Sequence, residues 1–362
     1  MQEERRFVSS LFGGFWQFDV KDFSYLVNPY FPPPAFMDSL GARLDELVRS
    51  YPSTNWYISS LASIDVNLSH EELVIGNGAS ELISAIINRY VKNIAIPIPS
   101  FDEYINRAYI QNKAVSLYQM DEEYQLNIEG FISHVSNSGA NSALIINPNN
   151  PTGVFIPRDS ICYILESLKD LDLVIVDESF IDFVESESPL SVIDRINDFT
   201  NLVIIKSLSK SYGIPGLRLG YAVSSNKEII TNLRKDVPIW SINSLAQFFL
   251  EQMGSYRKEF LQSCVDVQIA TKSLYRGLQS ISYLYAYPTD GNFVLCKTLS
   301  GWTASNLTEK LFSKFKILIN DCSQKNGLDG NFVRIASRTQ EENADLIEAL
   351  KLLIVRTGFN NV

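Results

Sequence analysis

Short runs of β-branched and aliphatic residues recur through the first two-thirds of the chain, at 73–75, 94–98, 114–118, 143–147, 173–177, 202–206 and 219–223. Most are apolar at successive positions rather than alternating, the pattern of strands covered on both faces. Segments between them, such as 81–91 and 160–169, place apolar residues at helical spacing. Strands alternating with helices predict a largely parallel sheet with helices on both sides, an α/β fold. Ligands of such sheets sit at the carboxyl ends of the strands. From about residue 243 to 279 the pattern is helical. Strands then follow at 292–296, 316–319 and 332–336, and a last helix at 340–355. That order predicts a smaller α+β domain. The segment before residue 41, with Asn28-Pro29 and Phe31-Pro32-Pro33-Pro34, reads as irregular and either joins the small domain or covers a site. The expected organisation is an N-terminal segment over 1–40, a large domain over 41–260 and a small domain over 261–362.

Composition narrows the class. The chain has 362 residues, 46% of them hydrophobic and 20% charged, which suits an ordinary globular protein of one large and one smaller domain. Its net charge is 31 − 41 = −10. Without a basic block, neither nucleic acid nor an anionic membrane is an expected partner. No apolar run approaches the roughly 18 residues of a spanning helix. The start, Met1-Gln2-Glu3-Glu4-Arg5-Arg6, lacks the apolar segment of a signal peptide, so a cytoplasmic location is expected. Cys162, Cys264, Cys296 and Cys322 are widely spaced, fit no metal-ligand pattern and read as reduced core thiols. His70 and His134 have no partner nearby in sequence, so neither a metal site nor a histidine-centred triad is expected.

Four motifs fall at strand ends. The run Ser207-Leu208-Ser209-Lys210-Ser211-Tyr212-Gly213-Ile214-Pro215-Gly216-Leu217-Arg218 sets a lysine among small hydroxyls, with an arginine eight residues on. It suits an amine that loses its charge to form a Schiff base, with donors for a phosphate nearby. An ordinary solvated lysine has the same local signature. Asp177 closes the strand at 173–177, where a buried carboxylate needs a cation or donors. A protonated pyridine nitrogen is one such partner, and a helix cap or a loop salt bridge is another. Asn147-Pro148-Asn149-Asn150-Pro151-Thr152-Gly153 is either a plain turn or a mount for Asn150 as a donor to a ligand oxygen. Gly76-Asn77-Gly78-Ala79-Ser80-Glu81 leads a strand into a helix, so that Ala79 and Ser80 would meet an anion at the helix start. Phe101, after the next strand, either stacks on a cofactor ring or joins the core. An amine for an aldehyde, donors for a phosphate and a carboxylate for a ring nitrogen are together what pyridoxal phosphate needs.

In order and content these motifs resemble the class I/II aminotransferase superfamily, pyridoxal-phosphate fold type I, along essentially the whole chain. The shared stretches include Asn149–Gly153, Asp177-Glu178-Ser179-Phe180-Ile181-Asp182-Phe183, Ile214–Tyr221 and Trp240-Ser241-Ile242-Asn243. Histidinol-phosphate aminotransferases and, more so, threonine-phosphate decarboxylases are the members most alike. The resemblance implies a large domain on a mainly parallel seven-stranded sheet, and pyridoxal 5'-phosphate as cofactor. It implies Lys210 as the Schiff-base lysine, Asp177 on the pyridine nitrogen and Asn150 on the ring hydroxyl. Ser207 and Arg218, with Ala79 and Ser80, are implied on the phosphate. Tyr51 matches a tyrosine that reaches the phosphate of the partner subunit, implying a homodimer with shared sites. Arg334 matches an arginine that grips the substrate's α-carboxylate.

Three departures bear on substrate and reaction. Phe180 stands where many transaminases of this fold have a tyrosine on the ring hydroxyl, although decarboxylase-like members also accept phenylalanine. Asn320, in Ile317-Leu318-Ile319-Asn320-Asp321-Cys322, stands where phosphate-substrate members carry arginine. Losing that charge would weaken phosphate binding by about 1.5–3 kcal/mol. In Tyr25-Leu26, leucine replaces a polar asparagine of the decarboxylase-like pattern, and Phe12 replaces a histidine. The expected substrate is therefore an α-amino acid lacking a phosphate, contacted by Arg334, Asn320, Tyr25 and Leu26. The expected reaction is transamination; the alternative is lyase chemistry, either decarboxylation or β/γ-elimination with cyclisation.

Overall fold

The computed structural model describes residues 13–356. Seven strands form the larger sheet: β2 (Leu73–Asn77), β3 (Asn93–Ile98), β4 (Ala114–Gln119), β5 (Ser142–Ile146), β6 (Leu173–Asp177), β7 (Leu202–Ser207) and β8 (Leu219–Val223). Their spatial order is β2-β8-β7-β6-β5-β3-β4. Only β8 runs against its neighbours β2 and β7; every other pair is parallel. The continuous apolar runs are explained by burial on both faces. Alternate residues Ala143, Ile145, Val174, Val176, Leu202 and Ile204 pack on one side. That side is covered by α1 (Pro34–Arg49), α2 (Asn55–Asp65), α5 (Ile128–Asn137), α6 (Arg158–Ser167) and α9 (Ser244–Gln252). Leu144, Ile146, Leu173, Ile175, Val203 and Ile205 pack on the other, under α3 (Ala79–Tyr90), α4 (Asp102–Ile110) and α8 (Lys227–Asp236).

The smaller sheet has the order β1-β11-β12-β10-β9. It comprises β1 (Lys21–Phe23), β9 (Leu284–Ala286), β10 (Phe293–Thr298), β11 (Ile317–Asp321) and β12 (Phe332–Ala336), with α10 (Arg257–Gln279), α11 (Ala304–Phe315) and α12 (Gln340–Arg356). The N-terminal segment enters this sheet, because β1 pairs in parallel with β11. It then crosses to the larger sheet, where the backbone N–H of Asn28 donates to the Lys210 carbonyl at 2.9 Å. The proline run is less irregular than expected: Pro34 opens α1, where its missing N–H costs nothing.

Parallel register fixes where the chemistry lies. Ile146 faces Asp177, and Asp177 faces Ile205, so β5, β6 and β7 end at one level. The turns after β3, β5 and β6 and the short helix α7 (Leu208–Ser211) after β7 share that edge. Residue 147 leaves the expected strand, because the Asn147 side chain is used in the turn. It accepts from the backbone N–H of Ile156 at 2.8 Å and donates to the carbonyl of that residue at 3.0 Å.

Candidate active site

Lys210 lies in α7, one short turn beyond the end of β7, and is half-buried. Its amine is pushed down from 10.5 to about 8, first by burial and then by the charges of Arg334 and Arg218, with Asp177 opposing. Asp177 ends β6 and is almost fully buried. Its Oδ1 accepts from the Ser179 backbone N–H at 3.0 Å and its Oδ2 from the Tyr104 hydroxyl at 2.8 Å. Burial nevertheless raises its pKa, against the pull of those donors and of Lys210.

Arg334 projects from β12 of the smaller sheet and is buried. Its Nη1 donates to Asn150 Oδ1 at 2.6 Å and its Nη2 to the Ser24 carbonyl at 2.8 Å. The first bond commits the amide oxygen and turns the Asn150 nitrogen outward as a donor. The guanidinium lies 5.7 Å from the centre of the Phe293 ring, and its Nε is buried without a partner.

A third group of residues forms an anion cradle. Gly78 takes φ +74° before α3, leaving the N–H groups of Ala79 and Ser80 at the open end of a twelve-residue helix. Arg218 Nη2 stands 3.5 Å from Ser80 Oγ. The positive φ at residue 78 favours glycine, and a Cβ there would displace the Arg218 fork, since it would sit 2.3 Å from the same Nη2. The hydroxyls of Ser209 and Ser211 are buried without partners on either side of Lys210. Ser207 is buried, and its backbone N–H donates to Ser179 Oγ at 2.9 Å.

The side walls are mostly apolar. Phe180 lies edge-on to Phe293 at 5.2 Å, in one cluster with Leu26, Phe183, Val267 and Ala336. Tyr25 stacks on Phe15 at 5.1 Å, and its phenol is pushed up to about 12 by burial and then by Asp22. Asn320 faces Arg334 across β11 and β12, but its amide donates to Cys322 Sγ at 3.4 Å. Phe101 is 39% exposed, with its ring edge-on to Tyr104. Tyr51 stands apart: it is 78% exposed and its ring lies 4.5 Å from that of Trp240. Phe12 lies outside the described residues.

The family model for aminotransferase class I and II matches residues 53–350. The chain belongs to that family. It is a pyridoxal-phosphate-dependent enzyme of the aminotransferase fold. Among its relatives, a CMP-5'-(3-aminopropyl)phosphonate synthase of Streptomyces rubellomurinus is 34% identical over 98% of this chain and 56% of its own length. The chain thus spans little more than half of that protein. An L-serine phosphate decarboxylase of Campylobacter jejuni is 33% identical over 91% of this chain and 87% of its own. Among solved structures, the histidinol-phosphate aminotransferase of Clostridium acetobutylicum superposes with a TM-score of 0.84 at 28% identity, over 92% of this chain and 98% of the other.

The residues present fit the cofactor of this aminotransferase family. Orphaned buried hydroxyls, a helix N-terminus and a guanidinium are the donor types that a phosphate needs, and a largely desolvated amine and a buried carboxylate are those that an aldehyde and a ring nitrogen need. Three members of the set carry no role in the sequence reading. Ser209 and Ser211 flank the lysine inside its own motif, and only burial without a partner marks their hydroxyls. Tyr104 is a tyrosine on the buried face of a short helix at a strand end, and the signal was its hydroxyl, which needs an acceptor when buried.

Proposed function

We propose that this enzyme decarboxylates a small α-amino acid whose side chain ends in a phosphoryl group. Lys210 is the cofactor's attachment point, Asp177 partners the ring nitrogen and Asn150 the ring oxygen. Ala79, Ser80, Ser207, Ser209 and Arg218 hold the phosphate, and Phe101 covers a ring face. When bound, the cofactor supplies an electron sink for charge developing at the substrate Cα. Arg334 offers its unpartnered Nε–H to the α-carboxylate, its two terminal nitrogens being held by Asn150 and the Ser24 carbonyl. Lys210, with its amine near 8, is the base or acid that moves a proton at Cα. Leu26, Phe180 and Phe293 exclude water from that side. Residues 41–260 form the unit holding the cofactor, and 261–362, joined by the N-terminal segment, the unit that closes on it.

The observation that carries decarboxylation is the apolar wall made by Phe180, Phe293 and Leu26 beside Arg334. A carboxylate turned toward such a wall is stripped of water, and leaving as CO2 removes its charge from an apolar place. Position 180 supplies no hydroxyl there. The similarity to a serine-phosphate decarboxylase supports the same reading. Asn320 argued for a substrate without phosphate, but the compounds in the relatives' names bear phosphate or phosphonate, which favours a phosphoryl end.

The test is to supply L-serine phosphate without any 2-oxoacid. Continuous CO2 release is expected. Stoichiometric conversion of the cofactor to its amine form, without CO2, would refute decarboxylation and establish the transamination first expected. A homodimer is part of the proposal: Tyr51, Trp56, Tyr57, Ile239 and Trp240 are all substantially exposed, and a second copy covers them. Sedimentation at micromolar concentration should show twice the chain mass of 40.9 kDa, and a monomer there would defeat the shared site. The four free thiols fit the reducing cytoplasm.

A further inference from the structure

Asn320 leaves a gap in the charge of the site. A phosphoryl amino acid brings a carboxylate and a phosphoryl dianion. Arg334 faces the first, and Arg218 belongs to the cradle at the start of α3. Lys206 is locked to Asp182 at 2.7 Å, and Arg338 pairs within its own stretch with Glu342 at 3.1 Å. Asn320, directly beside Arg334, is neutral and spends its amide on Cys322.

Another cation reaches the same place from a different position. After β11 the chain turns away from the smaller sheet, and Lys325 extends to the turn that follows β3. Its Nζ donates to the Ser100 carbonyl at 3.2 Å and pairs with the Asp102 carboxylate. That turn carries Phe101, and its Pro99 carbonyl accepts from Asn149 Nδ2 at 2.9 Å, one residue from Asn150. Lys325 therefore abuts the loops that present Phe101 and Asn150. Cys322, whose thiol accepts from the Asn320 amide, also ties the two positions together: its carbonyl accepts from the Lys325 backbone N–H at 3.1 Å. The pair is lopsided: the Lys325 side chain is 10% exposed and that of Asp102 41%. The lysine is fixed inside while its counter-ion lies toward solvent. A buried cation with a displaceable carboxylate is an anion-exchange site.

We propose that Lys325 holds the phosphoryl group of the substrate, exchanging the Asp102 carboxylate for it as the substrate binds. This rests on the reading that the substrate carries such a group. It explains how a site with asparagine at position 320 takes the kind of substrate named for its relatives. Asp102 holds the lysine in place beforehand, at the cost of competing with the ligand.

The test compares Lys325→Met with Asp102→Asn in the full-length holoenzyme, using L-serine phosphate and L-serine. Lys325→Met should raise KM for L-serine phosphate by about 10- to 100-fold more than for L-serine, the effect of one charge-assisted contact, with kcat little changed. Asp102→Asn should hold or lower that KM, because it frees the cation. If Lys325 only latches the two sheets together, both variants break the latch, and they should impair both substrates alike. That outcome would overturn the proposal. Wild-type enzyme that releases CO2 from L-serine phosphate, with Lys325→Met indifferent to the phosphate, overturns this proposal alone. Wild-type enzyme that releases none overturns the reading of function, and this proposal with it.

Discussion

Replacing Tyr104 with phenylalanine deletes one hydroxyl from a fully buried position and leaves the shape of the core unchanged. Asp177 Oδ2 then loses its donor at 2.8 Å, while Oδ1 keeps the Ser179 N–H. A hydrogen bond to a buried charged group is worth about 1.5–3 kcal/mol. The Asp177 carboxyl should therefore climb further above the ordinary carboxylate range, from a position that burial has already raised. The sign follows from proton linkage. An acid whose folded pKa is raised binds more protons folded than unfolded, so its contribution to stability is present in acid and is lost as pH rises through the folded pKa. The variant apoenzyme should therefore lose stability on going from acid to neutral pH over a wider window than the wild type. A protonated ring nitrogen needs this carboxylate ionised, so cofactor affinity should fall about 10- to 100-fold and recover as pH rises. Visible absorbance during titration of apoenzyme with pyridoxal phosphate, repeated across pH and paired with urea unfolding, measures both effects. A variant that binds cofactor as tightly as the wild type, with the same pH dependence, would show that Tyr104 only fills space and that its bond to Asp177 does not matter.

The Lys210 amine near 8 predicts that cofactor attachment speeds up with a midpoint near that pH; Arg334→Met should move the midpoint upward, and an unmoved midpoint in stopped-flow absorbance would leave burial and Arg218 as the causes. Because this lysine is depressed from 10.5, its contribution to apoenzyme stability should grow as pH rises from about 8, visible in urea midpoints. Gly213→Ala should destabilise the chain by about 2–5 kcal/mol, since φ is +63° and a Cβ there would lie 1.9 Å from the Phe31 carbonyl oxygen; unfolding in urea reads it directly. Asp182→Asn strands the buried Lys206 charge and should cost about 3–5 kcal/mol in the same assay, much of it restored by adding Lys206→Met.

Strands hidden between two helical layers were legible, because their apolar runs admit few other readings. Where local side-chain chemistry intervened, the bounds moved: Asn147 is drawn out of β5 by its bonds to Ile156, and α3 starts two residues early because Gly78 takes positive φ. The three-residue strands β1 and β9 carry too few residues to show a period, and β1 exists only through pairing with β11, nearly three hundred residues away. Helix α1 was obscured by its own prolines, although Pro34 at the first helical position is favourable. In the site, Lys210, Asp177, Asn150 and Arg218 stood out because each follows a strand within a recognisable motif. Tyr104 and Lys325 did not, since their significance lies in partners 73 and 223 positions away. Position 320 shows in the sequence only that no charge is present there; sequence does not say which cation from another loop approaches the site.

Arg334 shows how the two sheets act as one site. It belongs to the smaller sheet, yet its fork ends on Asn150 of the larger and on the Ser24 carbonyl of the N-terminal segment. A substrate carboxylate would compete for both N–H arms, and the unpartnered Nε gives it a third donor without breaking either bond. Held through Nε, the carboxylate leaves the bond between Arg334 Nη1 and Asn150 Oδ1 intact, so the amide that is proposed to meet the ring oxygen keeps its orientation. Its negative charge also cancels part of the field by which Arg334 depresses Lys210. The Lys210 pKa should therefore rise once substrate is bound, so the amine that is easily deprotonated for attaching the cofactor becomes a stronger base when there is a proton at Cα to handle. One guanidinium thus adjusts the same lysine to two successive tasks, and it does so only if the carboxylate binds at Arg334 rather than at Lys325.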